Sequence, residues 1–154
     1  MTEQKSTWVY IEHTGGRIAD VSLELTGRAR ELADPLGFEV VGLLCGHDVE
    51  ELAQDVIRHG ADRVLLADHP ELAHYRTLPY ARVAIAEARR RRPEIFLVGG
   101  TPNGRDFAPR VASASAVPFP LSPVALLGLG FGFVASAMFV GFRIGKRRSA
   151  QPVP

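Results

Sequence analysis

A chain of 154 residues, 46% hydrophobic and 23% charged, is sized and composed for one globular domain with a single core. Its 18 basic and 17 acidic residues leave a net charge of +1, which excludes the broad electrostatic pull of a nucleic-acid binder. The single cysteine, Cys45, excludes an intrachain disulfide and points to a reducing compartment, the cytoplasm; the polar stretch Met1 to Thr7 has no apolar core of a secretory signal.

In chain order, Trp8-Val9-Tyr10-Ile11 is a β-branched and aromatic run stopped by Thr14-Gly15-Gly16. The spacing of Leu25, Ala29, Leu32 and Ala33 predicts a helix over about Asp20 to Asp34, ended by Pro35. Glu39 to Leu44 reads as a second strand. The next helix is expected to start at Asp48 as cap with Glu51 as capping-box partner, to bury Leu52, Val56 and Ile57, and to stop at Gly60. Val64 to Ala67 is a third strand. A helix from about Leu78 to Arg91 then ends in Arg89-Arg90-Arg91-Arg92, cations that complement the negative end of its dipole. Ile95-Phe96-Leu97-Val98 is the fourth strand, and Asp106 to about Ala114 another helix. Four strands each followed by a helix imply an α/β fold, a three-layer parallel sheet with helices on both faces. Uninterrupted apolar strands fit burial on both sides.

Ligands in such sheets sit beyond the carboxyl ends of the strands, which here are His13 to Ala19, Cys45 to Asp48, Asp68 to Thr77 and Gly99 to Asp106. The last is the richest. Gly99, Gly100, Thr101, Gly104, Arg105 and Asp106 combine permissive glycines with a helix N-terminus that favours anions. Asp106 also reads as a plain helix cap, and the loop matches no established phosphate motif. The five histidines form no metal pattern, Cys45 reads as a small residue at a strand end, and no catalytic arrangement is visible. The chain is therefore expected to be a binding or assembly module and not an enzyme.

Several segments together resemble the electron transfer flavoprotein alpha subunit. These are Val9-Tyr10-Ile11-Glu12-His13, Gly16-Arg17-Ile18, Ser22-Leu23-Glu24-Leu25, Gly60-Ala61-Asp62-Arg63-Val64, His74-Tyr75-Arg76 with Pro79-Tyr80-Ala81, Pro93-Glu94-Ile95, and Gly104-Arg105-Asp106-Phe107-Ala108-Pro109-Arg110-Val111-Ala112. The likeness runs in register from residue 7 to about 114, and Pro35 departs from the family's usual helix. It implies a Rossmann-like sheet of the adenine nucleotide alpha hydrolase type. It also implies a partnership with a beta subunit in FAD-dependent electron transfer from dehydrogenases, such as those of fatty acid beta-oxidation. In that family a second domain of alpha holds the FAD, so residues 1–114 are expected to be the scaffold part of a truncated subunit. Gly104, Arg105, Asp106 and Arg110 then carry over as scaffold or interface positions, and the resemblance assigns no flavin ligand.

The remainder departs from the family. Residues 115–123 form a linker with three prolines, and Val124 to Phe142 run nineteen residues without a charge before Arg143, Lys146, Arg147 and Arg148. An apolar helix is expected over 124–148 as a candidate membrane span, with Gly128 and Gly132 spaced for close helix packing and a disordered tail over 149–154. The basic flank would place residues 1–114 outside the cell, against the family's compartment. Three readings stay open: a frameshifted or chimeric gene end, a genuine membrane or sorting segment, and a helix buried in an assembled complex. A competing function is a small regulatory module that binds nucleotides, similar to universal stress proteins, with or without a membrane tether.

Overall fold

The structure is a computed structural model that describes residues 5–114 and the backbone of residues 138–141. Strand β1 (Ser6–Ile11) is buried along its whole length and lies at the middle of the sheet. A hairpin of β2 (His13–Thr14) and β3 (Arg17–Ile18) follows, turned by Gly15 and Gly16, both at positive φ as a two-residue turn demands. Helix α1 (Asp20–Ala33) leads to β4 (Glu39–Gly46), helix α2 (Leu52–Arg58) to β5 (Arg63–Asp68), and helix α3 (Thr77–Arg91) to β6 (Ile95–Val98), after which comes α4 (Pro102–Ala114). Strands β5, β4, β1 and β6 pair in that order, all parallel. The chain builds outward from β1 on one side, then crosses back to its other side, so the order reverses between β1 and β6.

The two faces follow from strand periodicity. Trp8, Tyr10, Val41, Leu43, Phe96 and Val98 point to the layer of α3 and α4. Val9, Ile11, Val40, Leu44 and Leu97 point to the layer of α1 and α2. On the first face the rings interlock: Tyr10 stacks on Phe107 at 4.1 Å, and Trp8 and Phe107 each meet Phe96 edge-on. Ala81, Ala84 and Ala88 of α3 keep that helix close to the sheet.

Several local expectations change. Helix α1 buries Ser22, Thr26, Ala29 and Ala33, while Leu32 is 45% exposed. Close approach to the sheet selects small side chains, and the two hydroxyls go in because they are bonded: Ser22 Oγ accepts from the Glu12 amide at 2.9 Å and Thr26 Oγ1 donates to the Ser22 carbonyl at 2.8 Å. Pro35, by contrast, ends α1 as expected, in a short 3-10 turn, Asp34–Leu36, directly after the helix. The capping box at Asp48 does not form. Asp48 is left-handed, α2 begins only at Leu52, and Ile57 is exposed. The carboxylate of Asp68, at the end of β5, instead accepts the amides of Asp48 and Val49 at 3.1 and 3.0 Å. Helix α4 starts at Pro102, one turn earlier than Asp106, because Thr101 and not Asp106 is its cap. Arg90 and Arg91 pair back to Glu87 within α3, and Arg89 donates to the Ala114 carbonyl and so ties α3 to the end of α4.

The tail also differs. Met138–Gly141, inside the stretch expected as an apolar helix over 124–148, is strand β7, paired antiparallel with β6 from Ile95↔Gly141 to Val98↔Met138. An uncovered β6 edge presents unpaired amides and carbonyls, and Met-Phe-Val-Gly can meet them. The difference from the expected helix is confined to these four residues; the linker 115–123, the rest of that run and the tail 149–154 lie outside the described residues. Among the described residues no helix is long and apolar enough to cross a membrane.

Phe107 is fully buried and touches both aromatic partners across the sheet. Phe107→Ala should destabilise the domain by about 3 to 5 kcal/mol, measured as a lowered urea midpoint with an unchanged slope.

Candidate functional site

At the carboxyl edge, the reversal between β1 and β6 places Glu12 directly opposite the Gly99-Gly100-Thr101 turn. Glu12 is 8% exposed. Thr101 Oγ1 lies 2.9 and 2.8 Å from its two carboxylate oxygens and donates to the pair. The same Oγ1 accepts the Gly104 amide at 2.9 Å, which makes Thr101 both the cap of α4 and the clasp on Glu12. The Glu12 backbone is fixed as well: its amide goes to Ser22 and its carbonyl accepts from Ala19 at 2.8 Å. Burial pushes the Glu12 carboxyl above its ordinary range, and the Thr101 hydroxyl pulls part of the way back.

Gly104 completes the turn by its lack of a side chain. A Cβ there would stand 1.9 Å from the Gly99 carbonyl oxygen, so any larger residue would push α4 off the strand end. Of the first amides of α4, Pro102 has none, Gly104 is taken by the Thr101 hydroxyl and Arg105 by the Thr101 carbonyl at 2.9 Å. That leaves one early amide, on Asn103, in place of the row of free donors that an anion needs.

The other expected residues turn away from this crevice. Gly100 is half-buried in the turn and Arg105 is exposed. Asp106 accepts from the Thr77 hydroxyl and, at 3.5 Å, from Arg110, tying α4 to the start of α3; the Thr77 hydroxyl is the main cause of its lowered pKa. Tyr75 adds a second tie, donating to the Asn103 carbonyl at 3.1 Å. Arg110 borders an open groove of about 470 Å³ between α3 and α4, where Leu78 and Ile85 are also exposed to the space.

Cys45 is buried, and its thiol is pushed up to about 12 by burial, so it stays protonated and packs as an apolar residue. Its carbonyl meets His13 Nε2 at 2.8 Å, holding the hairpin against β4. The histidine spacing predicts no metal pattern, yet the fold brings donor atoms of His47, Asp48 and Asp68 within 4.8 Å of one another. All three are exposed, and both Asp68 oxygens already hold loop amides, the Val49 amide being the main cause of its lowered pKa. Spacing and motif do not mark Glu12 as a site residue. Its signal in the sequence is an acid placed directly after an apolar central strand, at the position a ligand would otherwise face.

Two outcomes follow. Thr101→Val keeps the shape but strips the cap and the Glu12 partner, and should cost about 1 to 3 kcal/mol in chemical denaturation, with Thr101→Ser restoring most of it. Because the folded-state pKa of Glu12 is raised, the folded protein holds its proton above the unfolded pKa. The contribution of Glu12 to stability is therefore present below the unfolded value and lost as pH rises through the folded one. Glu12→Gln should remove that falling component, so the variant should gain on wild type in thermal melts taken from pH 4.5 upward, 4.5 being the ordinary value of the group.

Residues 7–119 match the family model described as "Electron transfer flavoprotein domain". The chain is 43% identical over 111 residues to the electron transfer flavoprotein subunit alpha of Clostridium acetobutylicum, covering 72% of this chain and 33% of that one. It is 46% identical over 114 residues to the subunit of the same name from Megasphaera elsdenii, covering 74% and 34%. Against the acryloyl-CoA reductase electron transfer subunit beta of Anaerotignum propionicum it is 41% identical over 109 residues, covering 71% and 30%. The chain spans about a third of the length of the curated relatives it matches. With the β1-centred parallel sheet and the Gly104 to Ala112 segment in helix α4, this places the chain in the electron transfer flavoprotein family, as an alpha-subunit N-terminal domain.

Proposed function

We propose that residues 7–114 are the scaffold part of an electron transfer flavoprotein alpha subunit. The domain pairs with a beta subunit and takes part in electron transfer from dehydrogenases only within the complete complex. The observation that carries this reading is Glu12: where open parallel sheets hold a ligand, this sheet holds its own carboxylate. The described residues do not fit FAD at this edge. A buried carboxylate faces the place a pyrophosphate would take, and the early amides of α4 are committed except that of Asn103. The flavin of the complete complex is therefore held outside residues 7–114. Electron transfer then asks of this chain rigidity and a docking surface, and no bond-making chemistry. The buried, protonated thiol fits the cytoplasm.

Exposed Arg105 and Arg110, with Asp106 between them on α4, are the family-matched positions left facing outward, beside the groove that Leu78 and Ile85 share with α3. These are the interface positions in this reading. The nucleotide-binding alternative needs free donors in the turn from Gly99 to Asp106, and the same Glu12–Thr101 contact weighs against it.

Co-expression with a beta subunit of this family should give one stable complex, while the chain purified alone should carry no flavin absorbance. Arg110→Glu, which reverses the charge beside the groove, should weaken the pairing by at least about tenfold, roughly 1.4 kcal/mol. Stoichiometric FAD on the isolated chain, or no association with any beta subunit of the family, would sink the reading.

A further inference from the structure

We infer that Glu12 is a specificity-determining residue: its carboxylate occupies the β1–β6 crevice as a built-in anion and so denies the site to phosphate-bearing ligands. The inference rests on the scaffold reading and deepens it, since it names what keeps the domain from binding a nucleotide.

The fold alone would favour a ligand here. The strand order reverses between β1 and β6, glycine-bearing backbone follows β6, and α4 points its N-terminus at the gap. Three observations show how the gap is used instead. Glu12 is buried, and the Thr101 hydroxyl donates a hydrogen bond to the carboxylate, the bond a phosphate oxygen would compete for. Glu12 Oε1 also stands 3.0 Å from the position of a Cβ on Gly99, so the carboxylate lies against the glycine whose bareness would otherwise admit a ligand. The backbone of Glu12 is held at both ends, by Ser22 and by Ala19, so the side chain cannot swing clear by moving the strand end.

A phosphate entering the crevice would meet a like charge in a partly desolvated setting, where repulsion is several times stronger than in water. It would also have to take Thr101 from a partner that is already paired. Removing the charge removes the first obstacle and leaves the second no stronger than an ordinary neutral hydrogen bond, with the Asn103 amide as the early α4 donor still open to a ligand. Glutamine is the informative replacement, because its side-chain carbonyl can still accept from Thr101 while carrying no charge. Alanine removes both the charge and the volume.

The test is titration calorimetry of the full chain and of its Glu12→Gln and Glu12→Ala variants with AMP and, separately, with inorganic phosphate at millimolar concentration. Trp8 near-ultraviolet dichroism and a cooperative melt establish that each variant is folded. Wild type should give no binding heat. Glu12→Ala should bind AMP at least about tenfold more tightly than wild type, with Glu12→Gln between the two; binding of AMP but not phosphate would identify a nucleoside pocket beside the anion position. The inference is overturned if wild type binds AMP as tightly as the variants, or if both folded variants stay silent. A Glu12→Gln variant that fails to fold overturns it too, since the charge would then serve the fold and not exclusion. Association of the wild-type chain with a beta subunit is read independently of these titrations, so a failure of the scaffold reading is told apart from a failure of this one.

Discussion

The carboxylate of Glu12 and the hydroxyl of Thr101 meet where the central strand, its neighbour and the last helix all converge, and the carboxyl edge of the sheet depends on that contact. A carboxylate 8% exposed is costly to keep charged, as its raised pKa records. The cost is offset by what the pair organises. The same hydroxyl caps α4, Gly104 lets that helix sit on the Gly99 carbonyl, and the Glu12 backbone binds β1 to α1 through Ser22. Losing either side chain would leave the other a buried polar group without its partner, which costs more than the bond returns. The interaction therefore couples the ends of two strands and the starts of two helices, although its members lie 89 residues apart in the chain.

The layers were legible in the sequence because the forces that make them are local or periodic. Trp8 to Ile11, Glu39 to Leu44, Val64 to Ala67 and Ile95 to Val98 are all strands, and Gly60 and Gly15-Gly16 sit at the positive φ that their turns require. What failed locally failed for tertiary reasons. Leu32 has the spacing of a core residue, but α1 lies too near the sheet to bury it and seats Ser22 and Thr26 instead. Asp48 has the sequence of a cap, yet Asp68, twenty residues on, reaches its loop amide first. The site was half legible. Thr101 and Gly104 stood in the loop that was singled out, while Glu12 and Thr77 did not, because their roles exist only once the chain has folded a partner against them. Composition and spacing report what a segment can do alone, and a switch-point carboxylate does nothing alone.

Strand β7 bears on the tail in the same physical terms. An apolar run without charge satisfies the length rule for a membrane span, which is why 124–148 reads as a helix in isolation. The length rule takes no account of an open sheet edge elsewhere in the chain. Ile95 to Val98 present such an edge, and Met138–Gly141 pair along all four of its residues. For a segment that contains β-branched and aromatic residues, the hydrogen bonds of an existing strand are an alternative to the self-contained bonds of a helix. Both choices satisfy the backbone; only the strand also shields β6.

The closed crevice gives the domain a specific place among parallel α/β folds. Sheets with a reversal of strand order usually spend it on a ligand, and the loops at the carboxyl edge then vary to suit that ligand. Here the reversal holds an internal bond, the Thr101 hydroxyl on the Glu12 carboxylate. The geometry of such an edge does not wait on occupancy. Arg105 and Arg110 on α4, with Leu78 at the start of α3, remain outward. They are set in position by the ties from Thr77 to Asp106 and from Tyr75 to Asn103, which lock α3 to α4. The same helix thus meets Glu12 through the hydroxyl that caps its first turn and carries the Asp106–Arg110 pair on its later ones.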